Sequence, residues 1–169
     1  MSETPDRAAT ILTRFNAAQR SLVGRLRDLP ERVAETAPAA DAWTPAQIGW
    51  HVALTHDLVA GVLLGSIPLA QPAAAGFKEV FDGSTIPAKA RNPPPLEPPA
   101  GIGRDSALEK LCASGQQLTK AMASLTPERG LGYTVALPFG TLSLFELADF
   151  AAAHVNRHVA QIDRSIAHV

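Results

Sequence analysis

The sequence has little of several residue types that would point to particular protein classes. Of its 169 residues, one is cysteine, one is tyrosine and only 5% are aromatic. A single cysteine excludes an internal disulfide, and so few aromatic residues are unfavourable for an all-β fold. No uninterrupted apolar run approaches the roughly 18 residues needed to span a membrane. We therefore expect no membrane as a partner.

Basic and acidic residues are nearly equal in number. Fifteen basic against sixteen acidic residues leave a formal net charge of -1. Neither a basic patch nor a run of like charges suggests nucleic acid as a partner. The first residues also lack the basic and then apolar layout of a signal peptide. We predict a cytoplasmic protein whose partner is a small molecule.

What the sequence does have is a hydrophobic fraction of 46%, dominated by alanine and leucine, which are strong helix formers. Apolar residues recur at helical spacing in four long segments, three of which begin with the residues of a capping box. The predicted helices run from Thr4 to Leu29, from Thr44 to about Gly65, from Ser106 to about Leu125, and from Ser143 almost to the C-terminus. The chain has the length of one domain, residues 1–169, and we predict an all-α four-helix bundle.

A long proline-rich connection, residues 66–104, separates the second and third predicted helices. A connection of this length can cross from one end of a bundle to the other, so we predict that these two helices run parallel. Within it we predict a short helix over Gly76–Phe81 and an extended proline run packed along the bundle. Residues 132–140 are predicted as an extended lead-in to the last helix.

Two histidines of the last predicted helix, His154 and His158, are the most informative residues of the chain. Residues four apart on a helix lie one above the other, roughly 6 Å apart, so both rings can bind one divalent metal ion from the same side. The helical period assigns both to the inward face. A buried imidazole costs free energy unless its polar atoms are satisfied, and a shared metal ion would satisfy both rings.

A third histidine, His51, lies just over one turn into the second predicted helix, beside an apolar stripe. The three histidines together would form a facial set of neutral nitrogen ligands that leaves coordination positions open for water or substrate. The residues alone leave a simpler alternative, in which each ring is hydrogen-bonded inside the core to a carbonyl or carboxylate. His56 lies about 140° around the helix from His51 and is predicted at the surface or rim. His168 is predicted to be solvated.

Other metal or cysteine chemistries that use helices do not fit the sequence. A zincin needs glutamate directly after its first histidine, where this chain has Val155. A ferritin-like di-iron bundle needs Glu-x-x-His on two helices, and none of the three histidines has glutamate three residues before it. A covalently bound c-type haem needs two cysteines. A cysteine nucleophile would have to be Cys112, which is predicted as a core residue of the third helix.

Two segments resemble the DinB-like family. The Trp-Thr-Pro-Ala-Gln start at 43–47, followed by His51, is similar to that family's second helix. The Phe-Gly turn at 139–140, followed by a helix with the pattern H-x3-H-x2-Q-I over 154–162, resembles its last helix. The resemblance covers both ends of the chain and the order of elements between them. The long connection differs from the family's usual short one.

The resemblance implies a bundle in which His51, His154 and His158 bind a metal ion near one end, and it is compatible with a homodimer. Relatives in this group include transferases and an isomerase that use low-molecular-weight thiols such as mycothiol or bacillithiol, whose sulfur a metal would convert to a thiolate. Three imidazoles suit Zn, Ni, Fe or Mn. Gln161, one turn after His158, and Trp50, beside His51, are candidates for a supporting or pocket-lining role.

Two classes of function follow from these observations. The first is a metal-dependent enzyme acting on small molecules, either an S-transferase with a thiol cosubstrate or a hydrolase that uses metal-bound water. The second is a non-catalytic, stress-related helical bundle whose histidines hold a structural metal or form a buried polar network. A structural site would need a fourth protein ligand. The sequence offers no good candidate for one, which favours the enzyme.

Overall fold

The computed structural model describes residues 6–83, 86 and 92–167, in which four long helices form the body of the protein. The long helices are α1 (Arg7–Asp28), α3 (Pro45–Leu64), α4 (Arg104–Ala123) and α6 (Leu144–Ile166). The shorter elements are helices α2 (Glu31–Ala34) and α5 (Pro127–Gly132), a 3₁₀ turn (Pro94–Leu96), and strands β1 (Gln71–Pro72), β2 (Tyr133–Leu137) and β3 (Gly140–Ser143). The predicted four-helix bundle is confirmed, with a small sheet added.

The two helices that carry the histidines begin where the sequence predicted. Thr44 Oγ1 accepts a hydrogen bond from the backbone N–H of Gln47 at 3.1 Å, and Gln47 Oε1 accepts from the N–H of Thr44 at 3.0 Å. Ser143 and Glu146 form the same reciprocal pair at the start of α6. Each pair satisfies two N–H groups that the helix start leaves without partners. At the other end of α3, Gly65 adopts the left-handed conformation, φ +81°, that terminates many helices.

The other two long helices begin differently. Asp6 caps α1, whereas Thr4, the predicted cap, lies outside the described residues. The capping box predicted at Ser106 is wrong, because α4 begins earlier, at Arg104, and Ser106 lies inside its first turn. The carboxylate of Glu35, from the loop before α3, accepts a hydrogen bond from the backbone N–H of Arg104 at 2.8 Å. A distant side chain thus caps the start of α4, where the sequence predicted a cap from a neighbouring residue.

Helices α3 and α4 run parallel, as the long connection predicts. Gly49, early in α3, lies against Ala107, early in α4. About two turns further along each helix, the His56 Nδ1 atom lies 3.5 Å from Ser114 Oγ. Residue numbers therefore rise in the same direction along both helices, and residues 65–103 return the chain from the end of α3 to the level at which α3 began.

Helices α1 and α6 form the second parallel pair. Arg25 pairs with Asp163 at 2.9 Å, and Arg14 pairs with Asp149 a few turns earlier on both helices. Helix α6 also packs against α3, which runs in the opposite direction. The first half of α3 therefore meets the middle of α6, and this is where the histidines lie.

The short helix predicted over Gly76–Phe81 is wrong. After a turn at residues 75–76 the segment has no regular secondary structure, and its polar groups bond to the start of α6. The backbone N–H of Phe81 donates to Glu146, and the Glu79 carboxylate accepts a hydrogen bond from Ser143. The backbone N–H of Phe81 is thus satisfied by a side chain of α6 and not by a helical hydrogen bond.

Residues 132–140, predicted as an extended lead-in, contribute strand β2 and the turn of an antiparallel hairpin with β3. Val135 pairs in register with Leu142, and both side chains are buried against the bundle. Strand β1 from the proline-rich connection pairs with the other edge of β2. The hairpin and the connection together cover the gap between α3 and α6.

The core lies between the four long helices, where Phe15, Leu22, Ile48 and Ile162 are fully buried. Cys112 is partly buried against this core. Helix α3 is buried around most of its circumference, with 14 of its 20 residues buried. None of the helices in the described ranges is both long and apolar enough to cross a membrane.

Candidate metal centre

Three histidine side chains converge between α3 and α6. The Nε2 atom of His154 lies 3.2 Å from Nε2 of His51 and 3.1 Å from Nε2 of His158. The four-residue spacing on α6 stacks His154 and His158, and the antiparallel packing of α3 brings His51 to them. All three rings are buried, with exposed fractions of 8% or less. The structure thus brings together the three histidines that the sequence singled out.

The hydrogen-bond partners of the Nδ1 atoms of His51 and His158 show which ring nitrogen carries the proton. His51 Nδ1 donates to the backbone carbonyl of Leu96 at 2.7 Å, and His158 Nδ1 donates to Oε1 of Gln161 at 2.7 Å. In the neutral form both rings therefore turn an unprotonated Nε2 toward His154. The single proton of His154 can serve one of these two acceptors, and its buried Nδ1 has no partner among the described residues. Neutral rings alone cannot satisfy the cluster.

A divalent cation fits this set of donors. It would accept a lone pair from each Nε2 atom and so remove the unsatisfied acceptors. Nitrogen donors about 2.1 Å from one ion are roughly 3.0–3.4 Å apart at octahedral or tetrahedral angles, and the two Nε2 separations lie within that interval. In the described part of the chain, these three histidines are the residues whose ligand atoms lie close enough together to hold a metal ion.

Burial keeps the three rings in the form that binds metal. It is the largest cause that lowers the pKa of His51, His154 and His158 below the usual 6.5, and it brings that of His158 to about 3. The charges that the neighbouring histidines would carry lower the pKa of His154 and His158 further. Because the neutral imidazole is the ligand, the cluster is ready for a metal ion at neutral pH.

The cluster faces a cavity of about 890 Å³ between α3, α6, the hairpin and the proline-rich connection. Apolar side chains from all of these parts of the structure line it: Trp43, Leu58, Leu96, Val135, Phe139 and Phe150. The ring of Trp43 packs against that of His51 at a centroid distance of 5.0 Å, and Phe150 packs against His154 at 5.4 Å. The cavity has the size and the apolar wall of a small-molecule site.

The two other residues singled out with the histidines occupy different positions. Gln161 lies in the cavity wall and orients the ring one turn before it. Trp50 lies outside the described wall, and Lys110 Nζ of α4 is 5.3 Å from its ring centroid. One residue before His51, it is turned about 100° away. Trp43, which precedes α3, lines the cavity instead.

The prediction that His56 lies at the surface or rim is wrong. Its ring is fully buried and packs edge-on against Phe15, at a centroid distance of 5.1 Å. Burial, and then the charge of His51, lowers the pKa of His56 to about 3. His56 lies 140° around α3 from His51, but that side of α3 is covered by α1 and α4 and is not exposed to solvent. His168 lies outside the described residues.

Two contributors to the site were not anticipated from the sequence. The carbonyl of Leu96 belongs to the main chain, so no side-chain pattern could have indicated it. Arg157 lines the cavity, and its charge lowers the pKa of all three clustered histidines. Its position, three residues after His154, places it on the same side of α6 and could have identified it.

Comparison with known proteins agrees with this architecture. The sequence model of the DinB superfamily matches residues 14–162. The crystal structure of TT2238, a four-helix bundle protein, is similar in fold with a TM-score of 0.64, at 21% sequence identity over 93% of this chain and 98% of that one. None of the curated proteins compared with the chain matches it. The family match spans the two histidine helices and most of the chain, and on that basis the protein belongs to the DinB superfamily.

Proposed function

We propose that this protein is a metal-dependent cytoplasmic enzyme acting on small molecules, with one divalent ion of Zn, Ni, Fe or Mn held by His51, His154 and His158. The observation that carries the proposal is the convergence of three Nε2 atoms that neutral rings cannot satisfy among themselves, beside an apolar cavity. Within the described residues the ligand group has three members. Three ligands leave coordination positions for a substrate, as in catalytic sites.

The chain's own residues fix the geometry of the site. When bound, a divalent ion there would supply Lewis acidity that lowers the pKa of a thiol or a water molecule reaching it. The Leu96 carbonyl and the Gln161 amide hold the rings of His51 and His158 by their outer nitrogens, which sets the direction of each Nε2 lone pair. The apolar wall limits access of water and strengthens electrostatic interactions inside the cavity.

Of the two reactions considered, thiol-dependent transfer is the better supported. The described cavity wall contains neither aspartate nor glutamate, and the pKa values of its three histidines are lowered. Hydrolysis needs a group that accepts a proton from water and returns it to the leaving group. A thiol loses one proton on binding and then attacks as the thiolate, so it makes a smaller demand on acid–base side chains. Hydrolysis is the second candidate.

The metal is tested by elemental analysis of protein purified without a histidine tag. We expect about one equivalent of Zn, Ni, Fe or Mn in the wild type and none in His154→Asn. His56→Asn is the matched control, because it alters another buried histidine that lies outside the cluster, and it should retain the metal. Absence of metal from the wild type, even after incubation with each of the four ions, would contradict the proposal.

The open coordination sphere is tested by replacing the native ion with Co²⁺. Adding 3-mercaptopropionate should produce a sulfur-to-cobalt charge-transfer band in the near ultraviolet and shift the visible bands. Unchanged spectra at saturating thiol would show a closed, structural site, and the protein would then belong to the non-catalytic alternative.

A further inference from the structure

The cavity beside the three histidines is polar at one end and apolar at the other. On α3 its wall begins with His51 and Thr55 and continues with apolar residues on the same face of the helix: Leu58, Val59 and Val62. The hydroxyl of Thr55 donates to the carbonyl of His51 at 3.1 Å, so its hydrogen is already used within the helix. The apolar part of the wall therefore begins about two turns after His51.

Helix α6 shows the same change in the opposite order. Its wall residues before His154 are Leu147 and Phe150, whereas those after it are polar or charged: Arg157, His158, Gln161 and Arg164. Because α3 and α6 are antiparallel, the apolar wall residues of the two helices lie at the same end of the cavity. The hairpin adds further apolar side chains to the wall: Val135, Leu137, Pro138 and Phe139.

The apolar end of the cavity reaches the protein surface. Leu69 lines the cavity and is 50% exposed. Arg129 Nε donates to the carbonyl of Leu63 at 2.8 Å, which ties α5 to the end of α3. Leu64 and Leu131, from these two helices, are exposed as well. An apolar molecule that enters here would remove apolar surface from water.

We propose that the cavity binds a small molecule with an elongated apolar chain, whose polar end lies at the histidine cluster and whose chain runs along α3 toward Val62. The inference rests on the proposed function, since it names the substrate class of the same cavity. His51 and Val62 lie about 16 Å apart along the helix axis. An extended chain advances about 1.2 Å per bond, so about a dozen carbons would span this distance. The volume of about 890 Å³ is large enough for such a chain.

A series of 1-alkanols from butanol to dodecanol tests the apolar part of the cavity without using a metal ion. Isothermal titration calorimetry is performed on metal-free protein and repeated after loading with zinc. Each added methylene should increase the affinity about threefold to fourfold, because it moves from water to an apolar wall. Octanol should therefore bind about 100-fold or more tightly than butanol.

Valine substitutions test where the chain lies. Val59→Phe and Val62→Phe add the same bulk to the wall, and Val59 lies about 4.5 Å nearer to His51 along α3. Both variants should stop the gain in affinity at a shorter chain, and Val59→Phe should stop it about four carbons earlier than Val62→Phe. Val80→Phe is the control, because it makes the same change at an exposed position outside the described cavity wall. Val59→Leu and Val62→Leu should show the same order if phenylalanine prevents folding.

The position of the polar end is tested with cobalt-loaded protein and two thiols, ethanethiol and 1-hexanethiol. Both present the same sulfur, and they differ by four methylenes. Hexanethiol should produce the sulfur-to-cobalt charge-transfer band at a concentration about 100-fold lower than ethanethiol, because its chain lies in the apolar part of the cavity while its sulfur reaches the ion.

The outcomes separate this proposal from the enzyme proposal. Equal affinities along the alkanol series, or wild-type chain limits in both Val59→Phe and Val62→Phe, would each overturn the apolar-chain assignment. A protein in which both thiols give the cobalt band at the same concentration would keep its open metal site and lose only this inference. A protein that never binds metal but has chain limits set by Val59 and Val62 would lose the enzyme proposal and keep an apolar-chain site.

Discussion

Replacing His56 with leucine should make the stability of this protein less sensitive to acid. His56 is a fully buried histidine outside the cluster of His51, His154 and His158, with Ser114 at 3.5 Å from Nδ1 and no partner for Nε2 among the described residues. Its pKa in the folded state is lowered from 6.5 to about 3, mainly by burial. Leucine has a similar volume and cannot be protonated, so the substitution removes the titration while largely preserving the packing.

The sign and size of the effect follow from the two pKa values. At pH values above 6.5 the ring is neutral in both states, so the ionisation of His56 does not change the free energy of unfolding. Below 6.5 the unfolded chain binds a proton that the folded protein does not bind until about pH 3, so stability falls as the pH decreases through this interval. One proton corresponds to about 1.4 kcal/mol per pH unit, and the loss by about pH 4.5 is about 3 kcal/mol.

The assay is urea unfolding of metal-free protein, followed by helical circular dichroism, at a series of pH values from neutral to about 4.5. The clustered histidines also destabilise the wild type in acid, and His56→Leu should reduce the slope by one proton, about 1.4 kcal/mol per pH unit. His56→Gln separates titration from packing, because it should show the same reduced slope at a lower overall stability. Parallel pH curves for the three proteins would refute the reasoning.

Three further perturbations have expected outcomes. Glu146→Ala removes the acceptor for two backbone N–H groups, one of them at the cap residue Ser143, and should destabilise the protein by about 1–2 kcal/mol in urea unfolding. An unchanged free energy of unfolding would show that the capping box of α6 does not stabilise the protein. Gly130→Ala places a methyl group against the ring of Phe145, well inside van der Waals contact, whereas the methyl group of Gly132→Ala meets nothing. The first substitution should lower the free energy of unfolding by about 1–3 kcal/mol and the second should leave it almost unchanged. Equal effects would disprove the close packing of Gly130 and Phe145. Zinc at about 100 times its dissociation constant should stabilise the protein by about 2.7 kcal/mol, seen as a rise in Tm that a chelator reverses, and an unchanged Tm would argue against the site.

The parts of the fold that depend on residues close together in the sequence were predictable. The capping boxes at Thr44 and Ser143 are local arrangements of four residues and formed as expected. The start of α4 was not predictable, because its capping group is Glu35, almost 70 residues earlier. The hairpin was missed for the same reason: strands of four or five residues are stabilised by their burial against the bundle rather than by their own sequence.

The site was predictable to a similar extent. The pairing of His154 with His158 follows from helical geometry, and the convergence with His51 follows from two inward-facing helices that pack in opposite directions. The misplacement of His56 arose because α3 is buried on most sides, so that distance around the helix did not indicate exposure. The carbonyl of Leu96 reaches His51 through tertiary packing, which residue spacing alone does not reveal, whereas Arg157, three residues after His154, could have been identified from its spacing.

The hydrogen bond from His51 to the main chain at Leu96 has a consequence for how this protein can change during evolution. Residue 96 holds the histidine through its peptide carbonyl, while the residue also forms part of the cavity wall. A substitution there changes the side chain and leaves the carbonyl in place. The shape of the cavity can therefore change by point mutation at this position while the orientation of the His51 ring is retained, so the cavity could come to accept different molecules without any change in the three-histidine cluster.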